Sequence, residues 1–133
     1  QQEDTAPLRL SPFSASLVHP NIYLGAAIDA NDAATLIAHG IFYVLNVAYE
    51  CAFSDSVMNN DRINKKKINL RDTVQENIEP SFEDAFSFID AAIEQNKKIL
   101  VHCFMGASRS ATIVIASRRV SERRYWEARR IGL

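Results

Sequence analysis

The chain has 133 residues, 47% of them apolar, with 15 basic and 16 acidic side chains and a formal charge of −1 at pH 7. That length supports one compact domain with a real core and is too short for two, and the balanced charge gives no ground for nucleic-acid binding. Two cysteines are too few for a disulfide framework and indicate a reducing compartment, while three scattered histidines with those cysteines show no metal-ligand spacing, so neither a metal nor a cofactor is expected.

The opening QQEDTAPLRL has no initiating Met, no apolar signal core and no run able to span a membrane, so it is read as part of a longer cytoplasmic or nuclear protein. Residues 1–20 are expected to be an N-terminal extension and 21–133 the folded domain. Ser11 to Pro20 is rich in turn formers. Ile22, Tyr23 and Leu24 followed by Gly25 predict a short strand. Asp29 to Asp32 supplies caps for a helix through Leu36 and Ile37 that ends at His39 and Gly40, with His39 as a last-turn residue. Ile41 to Val47, IFYVLNV, predicts a strand covered on both faces.

Ala48 to Lys65 is polar and irregular and is expected to be a loop, with Cys51 near its start as a small apolar residue at a strand end. Lys66 to Leu70 predicts a second short strand, and Arg71 to Ile78 a polar loop. Ser81 begins a helix whose Phe82, Ala85, Phe86, Ile89 and Ile93 recur at helical spacing and form a core stripe. Gln95 to Lys98 turns the chain.

The stretch that carries chemistry is ILVHCFMGASRSATIVIA, Ile99 to Ala116. It predicts a buried strand, a tight loop and a helix beginning near Ser110. Cys103 and Arg109 lie six positions apart around Gly106, where unpaired helix N–H groups and a curled loop make an anion site. A guanidinium adds a planar two-pronged donor, and the same field favours the thiolate of Cys103. An anion cradle floored by a thiolate suits in-line attack on a bound phosphate monoester, giving a phosphocysteine. The plainer alternative is a buried strand cysteine followed by a solvated arginine.

His102-Cys103-x-x-Gly106-x-x-Arg109-Ser110 resembles the signature of cysteine-dependent protein phosphatases. Ser108-Arg109-Ser110 is similar to the dual-specificity branch, which includes the MAP-kinase phosphatases and their small atypical relatives. The resemblance implies a single α/β domain, a central mainly parallel sheet flanked by helices, with a strand–loop–helix active site. It implies that Phe104, Met105, Gly106, Ala107, Ser108 and Arg109 form the phosphate-binding loop, that His102 orients it, and that Ser110 stabilises the departing thiolate. Asp72, on the loop before the helix that precedes the nucleophile strand, stands where the family has its general acid, with Glu76 and its neighbours as alternatives. Relatives with a cysteine near Cys51 suggest a redox partner for Cys103, which requires their Cα atoms to lie within about 7 Å. The implied substrate is a phosphoprotein, with a protein kinase among the candidates, because none of Phe104, Met105, Ala107 and Ser108 is basic, whereas relatives acting on phosphoinositides tend to carry lysines in these places.

Beyond Ala116 the sequence departs from the family pattern. Ser117 to Leu133 holds six arginines, and Tyr125 to Ala128 resembles the opening of a further helix that is cut short. The arginines are read as a solvated face or as a docking surface for acidic or phosphorylated partners. Two other readings compete with a dual-specificity phosphatase: a non-catalytic phosphate-binding module on the same fold, and a different Cys-x5-Arg thiolate enzyme such as a Cdc25-like phosphatase, a sulfurtransferase or an arsenate reductase.

Overall fold

The computed structural model describes residues 13–70, 79–105 and 108–132. Five strands, β1 (Ser16–His19), β2 (Ile22–Gly25), β3 (Ile41–Ala48), β4 (Asn64–Leu70) and β5 (Lys98–His102), form one sheet in the order β1-β2-β5-β3-β4. β1 pairs antiparallel with β2, and every other neighbouring pair is parallel. Four α-helices join them: α1 (Ala33–Ala38), α2 (Asp55–Met58), α3 (Glu79–Glu94) and α4 (Ser108–Arg130). This is the α/β architecture expected from the sequence, and parallel pairing brings the C-terminal ends of β3, β4 and β5 to one edge.

Alternation along the central strands divides the core. From β5, Ile99, Val101 and the adjoining Cys103 join Leu45, Val47, Phe86, Ile89 and Ile113, whereas Leu100 joins Val44, Leu36, Val57 and Ile63 on the opposite face. Ile99, Leu100 and Val101 are all fully buried, each contributing about 2 kcal/mol by leaving water. β5 therefore sits in the middle of the sheet with both faces covered, which fixes the point where the loop after Cys103 begins.

The helix ends follow the expected chemistry. Asp32 caps α1 by accepting from Thr35 N at 3.0 Å, and Gly40 follows His39 at φ +76°, the left-handed position that ends helices. His39 is the C-terminal cap, with Nδ1 2.8 Å from Thr35 O. Gly25 has a different reason: a Cβ there would fall 2.6 Å from Asp29 Oδ2. Asp29, buried in the 3-10 turn Ala27–Ala30, accepts from Ser14 N at 2.7 Å and Ala26 N at 2.9 Å.

Several expectations are corrected. The turn-rich stretch Ser11 to Pro20 contains β1, whose side chains are mostly exposed because it is an edge strand. Ala48 to Lys65 is not an unbroken loop: Ser54 caps the single-turn α2, accepting from Val57 N at 3.3 Å, and β4 begins at Asn64. α3 starts at Glu79 rather than Ser81, and α4 at Ser108 rather than Ser110. Most consequentially, Tyr125 to Ala128 opens no new helix. They continue α4, whose 23 residues run without a break because no Gly or Pro interrupts them.

α4 packs mainly through its first half, with Val120 and an Arg124 Nη2–Glu83 Oε2 contact of 3.3 Å continuing the seam with α3 and the core. Ile113, Val114 and Ser117 are buried, and Arg118 Nη2 reaches Asp90 Oδ1 of α3 at 2.9 Å. Beyond them Tyr125 and Trp126 are exposed, and with Val18, Leu24, Val114 and Ile115 they line an open groove of about 900 Å³ between α4 and the β1–β2 hairpin. Among the described residues no helix is long and apolar enough to cross a membrane.

Candidate active site

Cys103 is the first residue beyond β5 and is fully buried. Its Sγ lies 3.6 Å from Ser110 Oγ and 3.9 Å from Met105 O. Phe104 and Met105 follow with exposed side chains, as suits residues that contribute backbone to a phosphate loop. A hydrogen bond from Ala27 N to Phe104 O, 3.0 Å, braces this loop against the 3-10 turn. Gly106 and Ala107 lie outside the described residues. Ser108, Arg109 and Ser110 then form the first turn of α4, so Cys103 and the helix N-terminus approach each other as the motif requires.

His102 is buried at the end of β5. Its Nδ1 lies 3.0 Å from Cys103 O, and because a carbonyl only accepts, Nδ1 carries the ring proton. Burial pushes the imidazole below its ordinary value of 6.5, although the Cys103 carbonyl opposes the shift. A neutral ring at this place holds the backbone of Cys103 without adding a charge beneath the loop.

Arg109 is 9% exposed, and its planar fork is already aimed. Nη1 donates to Glu50 Oε1 at 2.8 Å, Nη2 donates to Glu50 Oε2 at 2.7 Å, and Nη1 also donates to Leu70 O at 2.8 Å. The hydrogen bonds from Arg109 hold the Glu50 carboxyl down at about 2. Glu50 lies two residues beyond β3, and Leu70 is the last residue of β4. The sequence reading missed Glu50, which matches no local motif. Its only signal is position: an acid just past the C-terminal end of a central parallel strand, where sites on such sheets form.

Lys67, also missed, reaches across from β4 and donates to Ala48 O and Cys51 O. Cys51 is a half-buried free thiol packed against the core cluster of Cys103, in keeping with its reading as an apolar residue at a strand end. Burial, then the neighbouring Glu50 charge, push its thiol upward. Asp72 and Glu76 lie outside the described residues, though β4 ends two positions before Asp72. Among the described residues no group of His, Cys, Asp and Glu is placed to hold a metal ion. The large groove beside α4 is not this site, since neither Cys103, Arg109 nor Glu50 lines it.

These features define a class: α/β domains with a buried cysteine between the end of a central parallel strand and the first turn of a helix. The family model "Dual specificity phosphatase, catalytic domain" matches residues 22–117. Tyrosine-protein phosphatase vhp-1 of Caenorhabditis elegans is 38% identical over 101 residues, 76% of this chain and 15% of that protein. Human dual specificity protein phosphatase 9 is 38% identical over 97 residues, 73% of this chain and 25% of its own length. The crystal structure of DUSP15 superposes with a TM-score of 0.68 at 30% identity, covering 77% of this chain and 63% of that one. The chain belongs to the dual-specificity phosphatase catalytic-domain family. The chain spans less than a third of the length of these curated relatives, 15% of vhp-1 and 25% of dual specificity protein phosphatase 9.

Proposed function

We propose that this domain hydrolyses phosphotyrosine and phosphoserine or phosphothreonine in proteins, without a metal, through a phosphocysteine intermediate. The observation that carries the reading is the buried Cys103 at the end of β5, its Sγ 3.6 Å from Ser110 Oγ in the first turn of α4, with the Arg109 fork of that same turn held by Glu50. Family membership supports the reaction class, the residue roles are those the motif implies, and the placement of Cys103, Arg109 and Ser110 supports them.

In the first step the Cys103 thiolate attacks phosphorus in line, forming the S–P bond as the P–O bond to the tyrosine, serine or threonine oxygen breaks. Asp72 gives its proton to that oxygen. Backbone N–H groups of residues 104–109 and the guanidinium of Arg109 hold the equatorial phosphoryl oxygens, where negative charge is spread in the transition state. In the second step Asp72 takes a proton from water, the water oxygen bonds to phosphorus, and the S–P bond breaks to return the thiolate and release inorganic phosphate. Ser110, 3.6 Å from Sγ, donates to the departing sulfur.

The same reading gives Cys51 a protective role: when a peroxide oxidises the Cys103 thiolate to a sulfenic acid, the Cys51 sulfur attacks the Cys103 sulfur, the S–O bond breaks as the S–S bond forms, and the hydroxide leaves with the thiol proton as water, giving a reducible disulfide. A thiolate nucleophile suits a reducing cytoplasmic or nuclear setting, and a phosphorylated protein kinase is a candidate substrate. The deciding experiment is turnover of an aryl phosphate in excess chelator by wild type and Cys103→Ser. Loss of turnover in the serine variant is expected. Phosphopeptide binding without wild-type turnover would instead mark a binding module.

A further inference from the structure

Glu50 can clamp Arg109 only if its own loop is held, and the turn Ala48–Cys51 lies between the end of β3 and the irregular approach to α2. Two side chains hold it. Asn46 acts from within β3: its Nδ2 donates to Cys51 O at 2.8 Å and its Oδ1 accepts from Ala48 N at 2.9 Å. Lys67 acts from the neighbouring strand. Its Nζ donates to Ala48 O and Cys51 O and stands 3.5 Å from Tyr49 O, so that the carbonyls of the turn curl around one ammonium. An ammonium has three donors and no preferred plane, which suits several carbonyls converging on a point. The segment is tied once more by Tyr49 N donating to Leu70 O at 2.8 Å, the same carbonyl that Arg109 uses.

We propose that Lys67 is a positioning residue for the phosphate site: by binding the carbonyls of the 48–51 turn it sets the Glu50 carboxylate, and through it the fork of Arg109. The inference deepens the phosphatase reading and rests on it for its kinetic consequence, but its physical claim is the orientation of Arg109 toward an oxyanion. Burial lowers the proton affinity of Lys67 and the Arg109 charge adds to this, while the Glu50 carboxylate opposes both; the carbonyls gathered around Nζ are what hold the ammonium in place. Removing the ammonium takes one of two donors from each of the Ala48 and Cys51 carbonyls, leaving Cys51 N on the first and Asn46 Nδ2 on the second, and loosens the turn. A displacement of about 1 Å at a positioning group can cost up to a hundredfold in rate.

The test is a double-mutant cycle on the full chain with Lys67→Met, Glu50→Gln and both together. It is read by kcat and KM for an aryl phosphate and, separately, by the Kd of inorganic phosphate. Lys67→Met is expected to lower kcat/KM and weaken phosphate binding about tenfold, and the double variant to be no worse than the poorer single one, because both act on Arg109 through one chain of contacts. Lys66→Met, on the same strand, is expected to match wild type. If Lys67→Met does not fold, Lys67→Gln carries the cycle with the same expectations. The proposal is overturned if the Lys67 variant stays within twofold of wild type in both measurements, if its loss multiplies with that of Glu50→Gln, or if Lys66→Met shows the same loss. Weakened phosphate binding in a protein that hydrolyses nothing would uphold the role of Lys67 and remove the phosphatase reading.

Discussion

Replacing Arg109 by lysine tests the site at its most geometrically determined point. In the native protein Nη1 and Nη2 meet the two oxygens of Glu50 at 2.8 and 2.7 Å, and Nη1 also meets Leu70 O at 2.8 Å. A lysine keeps the positive charge but has one nitrogen on a flexible stem. It can satisfy Glu50 or Leu70, and it cannot at the same time present a flat edge to a transferring phosphoryl group. Loss of one well-placed transition-state donor costs about 2.7–4 kcal/mol, so kcat/KM for an aryl phosphate should fall about 10²–10³-fold. Stability should fall much less, by about 1 kcal/mol, because the charge and at least one hydrogen bond survive. Steady-state kinetics and urea denaturation on the same preparations separate the two effects. A lysine variant within threefold of wild type in kcat/KM would refute the placement of Arg109 at the phosphate.

Cys103→Ser is expected to abolish turnover while phosphopeptide affinity, measured by titration calorimetry, stays within a few-fold of wild type, since the loop and Arg109 remain. Asp72→Asn should slow alkyl and unactivated phenyl phosphates at least about a hundredfold and an activated aryl phosphate far less, with loss of the falling limb of the pH profile; equal losses on all of them would leave Asp72 a turn former and point to Glu76. Acid stability should decline in two windows. His102, held below 6.5, favours the folded state fully above pH 6.5 and loses that contribution as pH falls through its lowered folded value. Glu50, at about 2 against an ordinary 4.5, contributes fully above pH 4.5 and is lost as pH falls toward 2. Its side chain is 40% exposed, so screening limits the amount to about 1 kcal/mol, and Glu50→Gln should remove that lower window from urea midpoints measured against pH.

What the sequence made legible was whatever is encoded locally. The apolar run into Cys103, the Asp32 cap and the Gly40 stop each depend on residues within a turn of one another, and each stands where it was expected. β1 was not legible because an edge strand with exposed side chains carries no apolar pattern, and its partner β2 supplies the order. The single helix through Arg130 was missed for a related reason: Tyr125 and Trp126 resemble the start of a buried element, yet both are exposed, and α4 continues because good helix formers fill it. Glu50 and Lys67 were missed because their meaning is non-local. Glu50 is 59 positions from Arg109, and only the strand order brings β3 between β5 and β4.

That strand order also explains how a chemistry needing three separate groups can be held in register. Cys103 follows β5, Glu50 follows β3, and Leu70 ends β4, and these strands are parallel neighbours, so their C-terminal ends lie side by side. Arg109, carried by the first turn of α4, spans from the Glu50 carboxylate to the Leu70 carbonyl. Leu70 is two residues before Asp72, so the arginine proposed to hold the phosphate is hydrogen-bonded to the root of the loop proposed to carry the acid. A donor fixed in this way needs no reorganisation when charge develops on the phosphoryl oxygens. The carbonyl of Leu70 takes a second bond from Tyr49 N, at 2.8 Å, so the turn bearing Glu50, the end of β4 and the guanidinium constrain one another. A side chain that loosens any one of the three should therefore be felt first as misaligned Arg109, in phosphate affinity and kcat/KM, before it is felt as lost stability.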